Sequence, residues 1–278
     1  MQSNNPVFRR SEEFNRPGAT AYAGSTGYTD PSTWSTGTPG GPSAPTTAQQ
    51  PMTIDSVVQK TGVALAVVII TAAITWVVSP DVDQNTDPSA ISGLIAAVTI
   101  GSLGAFILSM VNSFKRVISP ALVLLFCAFE GVALGAISKV FNLAYPGVVT
   151  GAVLGTFGAF AGTLAVYKFF NIKVSDKFRT MVIAAMFGLV GLSLIGLVLS
   201  LFGVNLGLFD SGAIGLLFAI VGLVLGVFML VLDFDFVEQG VANRLPDREG
   251  WRAAFAMTVS LVWIYTNLLR ILAILRGD

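Results

Sequence analysis

The chain has 278 residues, 54% apolar and 12% charged, with 16 Lys and Arg balanced by 16 Asp and Glu and a mean hydropathy of +0.75. Soluble domains carry about 25% charged residues, so half that charge at this hydropathy describes a membrane protein, and zero net charge gives no footprint for nucleic acid. Histidine is absent and Cys127 is the single cysteine; this excludes His-containing metal sites, Ser–His and Cys–His catalytic pairs, an intramolecular disulfide and multi-cysteine zinc sites.

Residues 1–52 have a composition of their own: 33 of the 52 are Gly, Pro, Ser, Thr, Asn or Gln, and seven of the twelve prolines fall here. Such a stretch buries too little apolar surface to offset its ordering entropy and reads as a disordered tail. No apolar core follows its basic residues, so it does not read as a signal peptide. Runs such as Ser32-Thr33 and Thr46-Thr47 leave a docking or phosphorylation role open.

The remainder, 53–278, reads as one all-α membrane domain. A helix needs about 20 mostly apolar residues to cross the hydrocarbon core. Seven nearly uncharged intervals supply this, with spans near 60–79, 90–112, 118–138, 147–168, 180–203, 211–234 and 252–274. The five remaining prolines (Pro80, Pro88, Pro120, Pro146 and Pro246) all fall at span ends or in loops, as expected where an interior proline would cost a backbone hydrogen bond.

With seven spans, one side collects the tail and three loops and carries 13 of the 16 basic residues; the other carries Lys139, Arg270 and Arg276. By the positive-inside rule the N-terminus is cytoplasmic and the C-terminus outside, in a multi-pass plasma membrane protein. Gly147, Gly151 and Gly155 on span 4, and Gly222 and Gly226 on span 6, recur every four residues. This spacing lets helix backbones approach closely, here most simply within the bundle itself.

Carboxylates inside spans cost about 2.5–3.5 kcal/mol at the helix centre on insertion scales and are functional candidates by default. Glu130, in FCAFEGVALGA, falls about 18 Å into span 3 on a helical ruler, with no cation one turn away. A packing role, hydrogen-bonding a neighbouring helix, is its simpler alternative. Asp233 and Asp235, in LDFDFVEQG, end span 6. Two residues apart on a helix they point roughly 200° apart, so they cannot line one cavity. Asp235 and Glu238 sit where the helix is expected to meet water; Asp233, about 10 Å inside Gly240, is the one expected to face the interior. Asp233 and Glu130 are placed within reach of a common water-filled cavity, which would be proton-sensitive without histidine. On span 7, Asn267 and Arg270 are further polar positions: Arg270 either reaches the outer interface or neutralises an internal acid.

No phosphate-binding glycine loop, HExxH or GxSxG elbow occurs, and the two aspartates of span 6 sit on one helix, so enzymatic activity is not expected. The acid of span 3 in FEGVALGAIS and the LDFDFVEQG end of span 6 resemble the Bax inhibitor/YccA-like family, the transmembrane Bax-inhibitor-motif proteins. NPVF at 5–8 and the closing LVWIYTNLLRILAILRG resemble its actinobacterial-type branch. The resemblance implies a seven-helix bundle with a central helix, and a pH-sensitive calcium leak gated by aspartates on the sixth and seventh spans. The sixth-span member maps to Asp233 or Asp235. Span 7 here holds no acid; Asn267 stands at the aligned position, which leaves Glu130 with Asp233 as the expected sensor.

The function expected is a pH-sensitive cation leak, calcium foremost, of the bacterial plasma membrane, gated by protonation of intramembrane carboxylates. The alternative is a non-transporting partner that modulates a membrane protease or another membrane complex. No cofactor is expected; calcium enters as permeant ion, and the partners are the bilayer, cations and a possible membrane protein, not nucleic acid. Carboxylates and carbonyls suit calcium, and Asp81, Asp83 and Asp87 between spans 1 and 2 either concentrate cations at an outer mouth or form an ordinary solvated loop.

Overall fold

The computed structural model describes residues 50–80, 88–170 and 172–277. The composition-defined tail up to residue 49 and the acidic positions Asp81, Asp83 and Asp87 lie outside them. Among the described residues the fold is all-helical, with seven helices long and apolar enough to cross a membrane. They are α1 (Ile54–Val78), α2 (Pro88–Phe114), α3 (Pro120–Ala144), α4 (Val148–Phe169), α5 (Asp176–Leu201), α6 (Ala213–Ala242) and α7 (Gly250–Gly277).

Each span expected from hydropathy is present, but several helices outrun it. Helix α1 starts at Ile54 rather than near 60 because Thr53 and Ser56 cap it reciprocally: the Thr53 hydroxyl accepts from Ser56 N–H at 3.1 Å, and Ser56 Oγ accepts from Thr53 N–H at 3.3 Å. That capping box satisfies two of the orphan donors of a helix start. Helix α6 runs eight residues past 234, to Ala242, so the whole LDFDFVEQG motif is helical. Hydropathy marks how deep a helix sits in lipid; caps and polar partners decide where it stops.

Over their most apolar 18 residues, half of α3, 44% of α7 and 39% of α6 are buried, against 17% in each of the other four helices. The inner trio is therefore α3, α6 and α7. Helix α7 packs against α1, α3, α4 and α6, whereas α2 packs chiefly on α3 and α5 chiefly on α6. The outward faces carry large exposed apolar side chains such as Ile70, Ile74, Phe106, Phe187 and Leu194, the surface expected to face lipid.

The glycine repeats are contacts within the bundle, as their spacing suggested. A Cβ on Gly151 would stand 3.1 Å from Leu272, one on Gly155 3.1 Å from Leu268, and one on Gly226 2.9 Å from both Ile264 and Trp263. Gly131 and Gly135 of α3 press directly on the α1 backbone at Val68 and Ala72. Lys139, counted among the outer charges by sequence, is buried and donates to the carbonyls of Trp76 (3.0 Å) and Ser79. It satisfies the last carbonyls of α1 at the negative end of that helix's dipole.

Where the glycine's neighbour is backbone, relief is expensive. Gly135→Ala is expected to destabilise the bundle by about 1–3 kcal/mol as overpacking. Gly158→Ala, at an α4 position with open space around it, is expected to be neutral or to stabilise by about 0.5–1 kcal/mol through helix propensity. Thermal unfolding of both variants in detergent checks the contrast.

Candidate functional site

The end of α6 sends its three acids to three different helices. Asp233 is 7% exposed, and its Oδ2 accepts from the Ser260 hydroxyl of α7 at 2.6 Å. Asp235 is 6% exposed and turns the other way, accepting from Arg179 of α5 at 2.6 Å and from Gln239 at 2.7 Å. Glu238 accepts from the Tyr167 hydroxyl of α4 at 2.6 Å. Between the acids, the Phe234 ring packs on Tyr167 and on Phe160, centroids 5.8 and 5.7 Å apart.

The opposed directions of Asp233 and Asp235 are those their two-residue spacing requires. Asp235 is not, however, at a water boundary as hydropathy suggested. The helix continues for two more turns, and Arg179 covers the carboxylate from α5. Glu238 remains exposed. Asp233 does face the interior, and among the described residues Ser260 is its only hydrogen-bond partner; no cation reaches it.

Glu130 and Asp233 are not brought together. On α3, Phe126 packs edge-on against Phe255 of α7, centroids 5.0 Å apart, and the Cys127 thiol meets the Thr258 hydroxyl. Glu130, half-buried, lies one turn along the same stripe, and Ser138 closes the stripe on Tyr265 at 2.6 Å. Thr258 and Ser260 are two residues apart on α7 and so point about 200° apart. Glu130 and Asp233 therefore lie against opposite sides of α7, which replaces the common cavity that depth along the helices had suggested. Among the described residues no hydrogen bond or ion pair reaches the Glu130 carboxylate.

The two span-7 positions are structural neighbours of the α6 face and of the loop before it. Asn267 is buried; its Nδ2 donates to the Trp263 carbonyl at 2.8 Å, and its Oδ1 abuts Gly222. Arg270 donates to the Leu208 carbonyl at 2.8 Å and lies over Phe209, 5.1 Å from the ring centroid. It ties down the α5–α6 loop and, among the described residues, pairs with no acid. A cavity of about 410 Å³ opens beside that loop, between Gly196, Ser200, Asn205 and Leu208, at the opposite end of α6 from the acids.

A model of the Bax inhibitor 1 like family matches residues 5–277. The chain belongs to this family. No curated protein matches the sequence. The Bax inhibitor 1-like match begins inside the 5–8 NPVF run and spans all seven helices, so the acids of α3 and α6 lie within it.

Sequence reading missed the partners rather than the acids. Ser260 sits seven residues before Asn267 on the same helical face, a spacing visible in TVSLVWIYTN but undistinguished because serine is common in membrane helices. Arg179, counted only toward orientation, is the counter-charge of Asp235. Its side chain is 37% exposed and that of Asp235 9%, so losing the arginine leaves a buried charge behind. Arg179→Gln is expected to cost about 1–3 kcal/mol, and Asp235→Asn in the same chain to recover part of it. A double-mutant cycle on detergent unfolding midpoints checks this; strictly additive losses would contradict the coupling.

Proposed function

We propose that the protein is a pH-sensitive cation leak, with calcium as the foremost permeant ion, gated at the α6 acids. The observation that carries this reading is Asp233: a carboxylate buried inside a membrane bundle with a hydroxyl as its partner and, among the described residues, no counter-charge. Such a group is expensive to keep ionised in lipid, so its protonation and its access to water are coupled. Proton exchange at Asp233 is then the event that loosens α6 from α7 at Ser260.

The end of the bundle carrying the α6 motif is also the basic end. Lys60 pairs with Asp247 at 2.7 Å, and Arg252 pairs with Glu249 at 2.8 Å and donates to the Arg116 carbonyl at 3.0 Å. The positive-inside rule supports placing this end in the cytoplasm of a bacterial plasma membrane. Among the described residues no three Cys, Asp or Glu side chains converge as metal ligands. A permeating calcium would be met by single carboxylates, carbonyls and water, weak contacts that allow release as well as binding. In this reading the protein has no catalytic role and needs no cofactor.

The test is calcium uptake by dye-loaded liposomes holding the purified protein, across pH 5 to 8. Wild type is expected to conduct with a pH dependence that Asp233→Asn flattens, because the substituted side chain has no proton to exchange. Ser260→Ala is expected to shift the pH at which flux changes while leaving the dependence in place. A wild type that conducts no better than protein-free liposomes at any pH would overturn the leak and favour the non-transporting membrane partner.

A further inference from the structure

Residues 50–52 run antiparallel to 245–247 in the connection between α6 and α7. Met52 N–H donates to the Leu245 carbonyl at 2.7 Å, and Asp247 N–H to the Gln50 carbonyl at 2.8 Å. These bonds bracket a bridge between Pro51 and Pro246. Residues opposed between two such bonds use neither of their own N–H groups, so a proline, which has none, fits on both sides. Two further ties flank the segment. The capping box at Thr53 turns it into α1, and Lys60 Nζ reaches both the Asp247 carboxylate (2.7 Å) and its carbonyl (2.6 Å).

The consequence is the position of Met52. The residue is 2% exposed and belongs to the buried apolar cluster that includes Tyr167, Phe234, Val237 and Met257. A Cβ on Gly240 would lie 2.9 Å from its terminal methyl carbon, so α6 has glycine where the methionine lies down. Gly240, Val237 and Asp233 are spaced seven, four and zero residues along one helical face, and all three are buried. Asp233 thus lies about 10 Å below Gly240, and Met52 lies on the Gly240 end of the stripe that leads to it.

We propose that residues 50–53 are a releasable clasp whose Met52 side chain stoppers the path from the basic end of the bundle to Asp233 and Ser260. The role of that path in conduction rests on the leak reading; the clasp itself does not. Its own holds are two backbone hydrogen bonds and one flexible thioether, while the Lys60–Asp247 ion pair fastens α1, not residues 50–53, to the 245–247 segment. Helix α1 has separate anchors deeper in the bundle, where Gly131 and Gly135 press on it. The clasp can lift while α1 stays seated. It continues directly into residues 1–49, so a partner of that segment would pull on Met52 first.

Val237→Cys places a reporter beneath the stopper. In lipid nanodiscs, with the parent protein and its fully buried Cys127 as background, a membrane-impermeant maleimide is expected to label it slowly. Adding Met52→Gly is expected to speed labelling by about tenfold or more, the scale implied by losing a buried methionine from the closed state. Met52→Leu, which refills the volume, is expected to restore slow labelling and serves as the control for folding. Equal rates with Gly and Leu, or fast labelling with Met52 in place, would overturn the clasp. A second arm uses Pro51→Cys with Pro246→Cys, since opposed residues of this kind stand about 4.5 Å apart at Cα and suit a disulfide. Calcium flux is expected to fall when this pair is oxidised and to return on reduction; a conducting protein indifferent to both would overturn the clasp. Absence of flux in every protein, wild type included, would count against the leak, and the labelling rates would still decide the clasp.

Discussion

The hydrogen bond between Asp233 and Ser260 fixes the register of α6 against α7. Inside a bilayer a polar side chain has to find its partner within the protein, and here the surrounding contacts agree on one antiparallel alignment. Asn267 meets Gly222, Ile264 meets Gly226, and Ser260 meets Asp233. Sliding α7 by one turn would set Ala256 or Ile264 against the carboxylate, and neither has a donor to offer. The glycines and the acid thus enforce the same register by different means: one through closeness of backbones, the other through the cost of an unpaired buried carboxylate.

The rest of the motif extends this constraint to the ends of two outer helices, α5 and α4. Helix α5 presents mostly lipid-facing side chains and rests chiefly on α6. Its end is fixed by the Arg179–Asp235 pair and by Phe178 against Phe228, centroids 5.5 Å apart. Helix α4 is held at the same level by Tyr167 on Glu238 and by the edge-on and tilted ring contacts of Phe160 and Tyr167 with Phe234. One and a half turns of α6 therefore organise one end of the molecule. Because apolar contacts between helices gain little in lipid, polar pairs at the ends carry a larger share of specificity than they would in a soluble bundle.

Depth was legible in the sequence and azimuth was not. Runs of apolar residues locate all seven spans, and the proline positions agree with their ends; the identity of the acids and the opposition of Asp233 to Asp235 follow from spacing alone. Whether Glu130 and Asp233 meet depends on which sides of α7 their helices occupy, a tertiary fact that depth along a helix cannot encode. Met52 was hidden for a different reason. Composition averaged over a polar segment of 52 residues conceals one apolar side chain whose partner, Gly240, is almost two hundred residues away. Lys139 was hidden because a lysine at a helix end is ordinarily a surface charge, and only the neighbouring end of α1 gives it buried acceptors.

The separation of Glu130 from Asp233 changes what a proton can do in this bundle. Two carboxylates in one cavity would sense each other through Coulomb repulsion; two carboxylates on opposite sides of a helix have to communicate through that helix. Helix α7 lies between the two sites, with Thr258 against Cys127, one turn from Glu130, and, two residues later, Ser260 against Asp233. Both side chains hang from one rigid backbone turn about 200° apart, so a sideways shift of α7 that lengthens the Ser260–Asp233 bond carries Thr258 toward Cys127 on the other side.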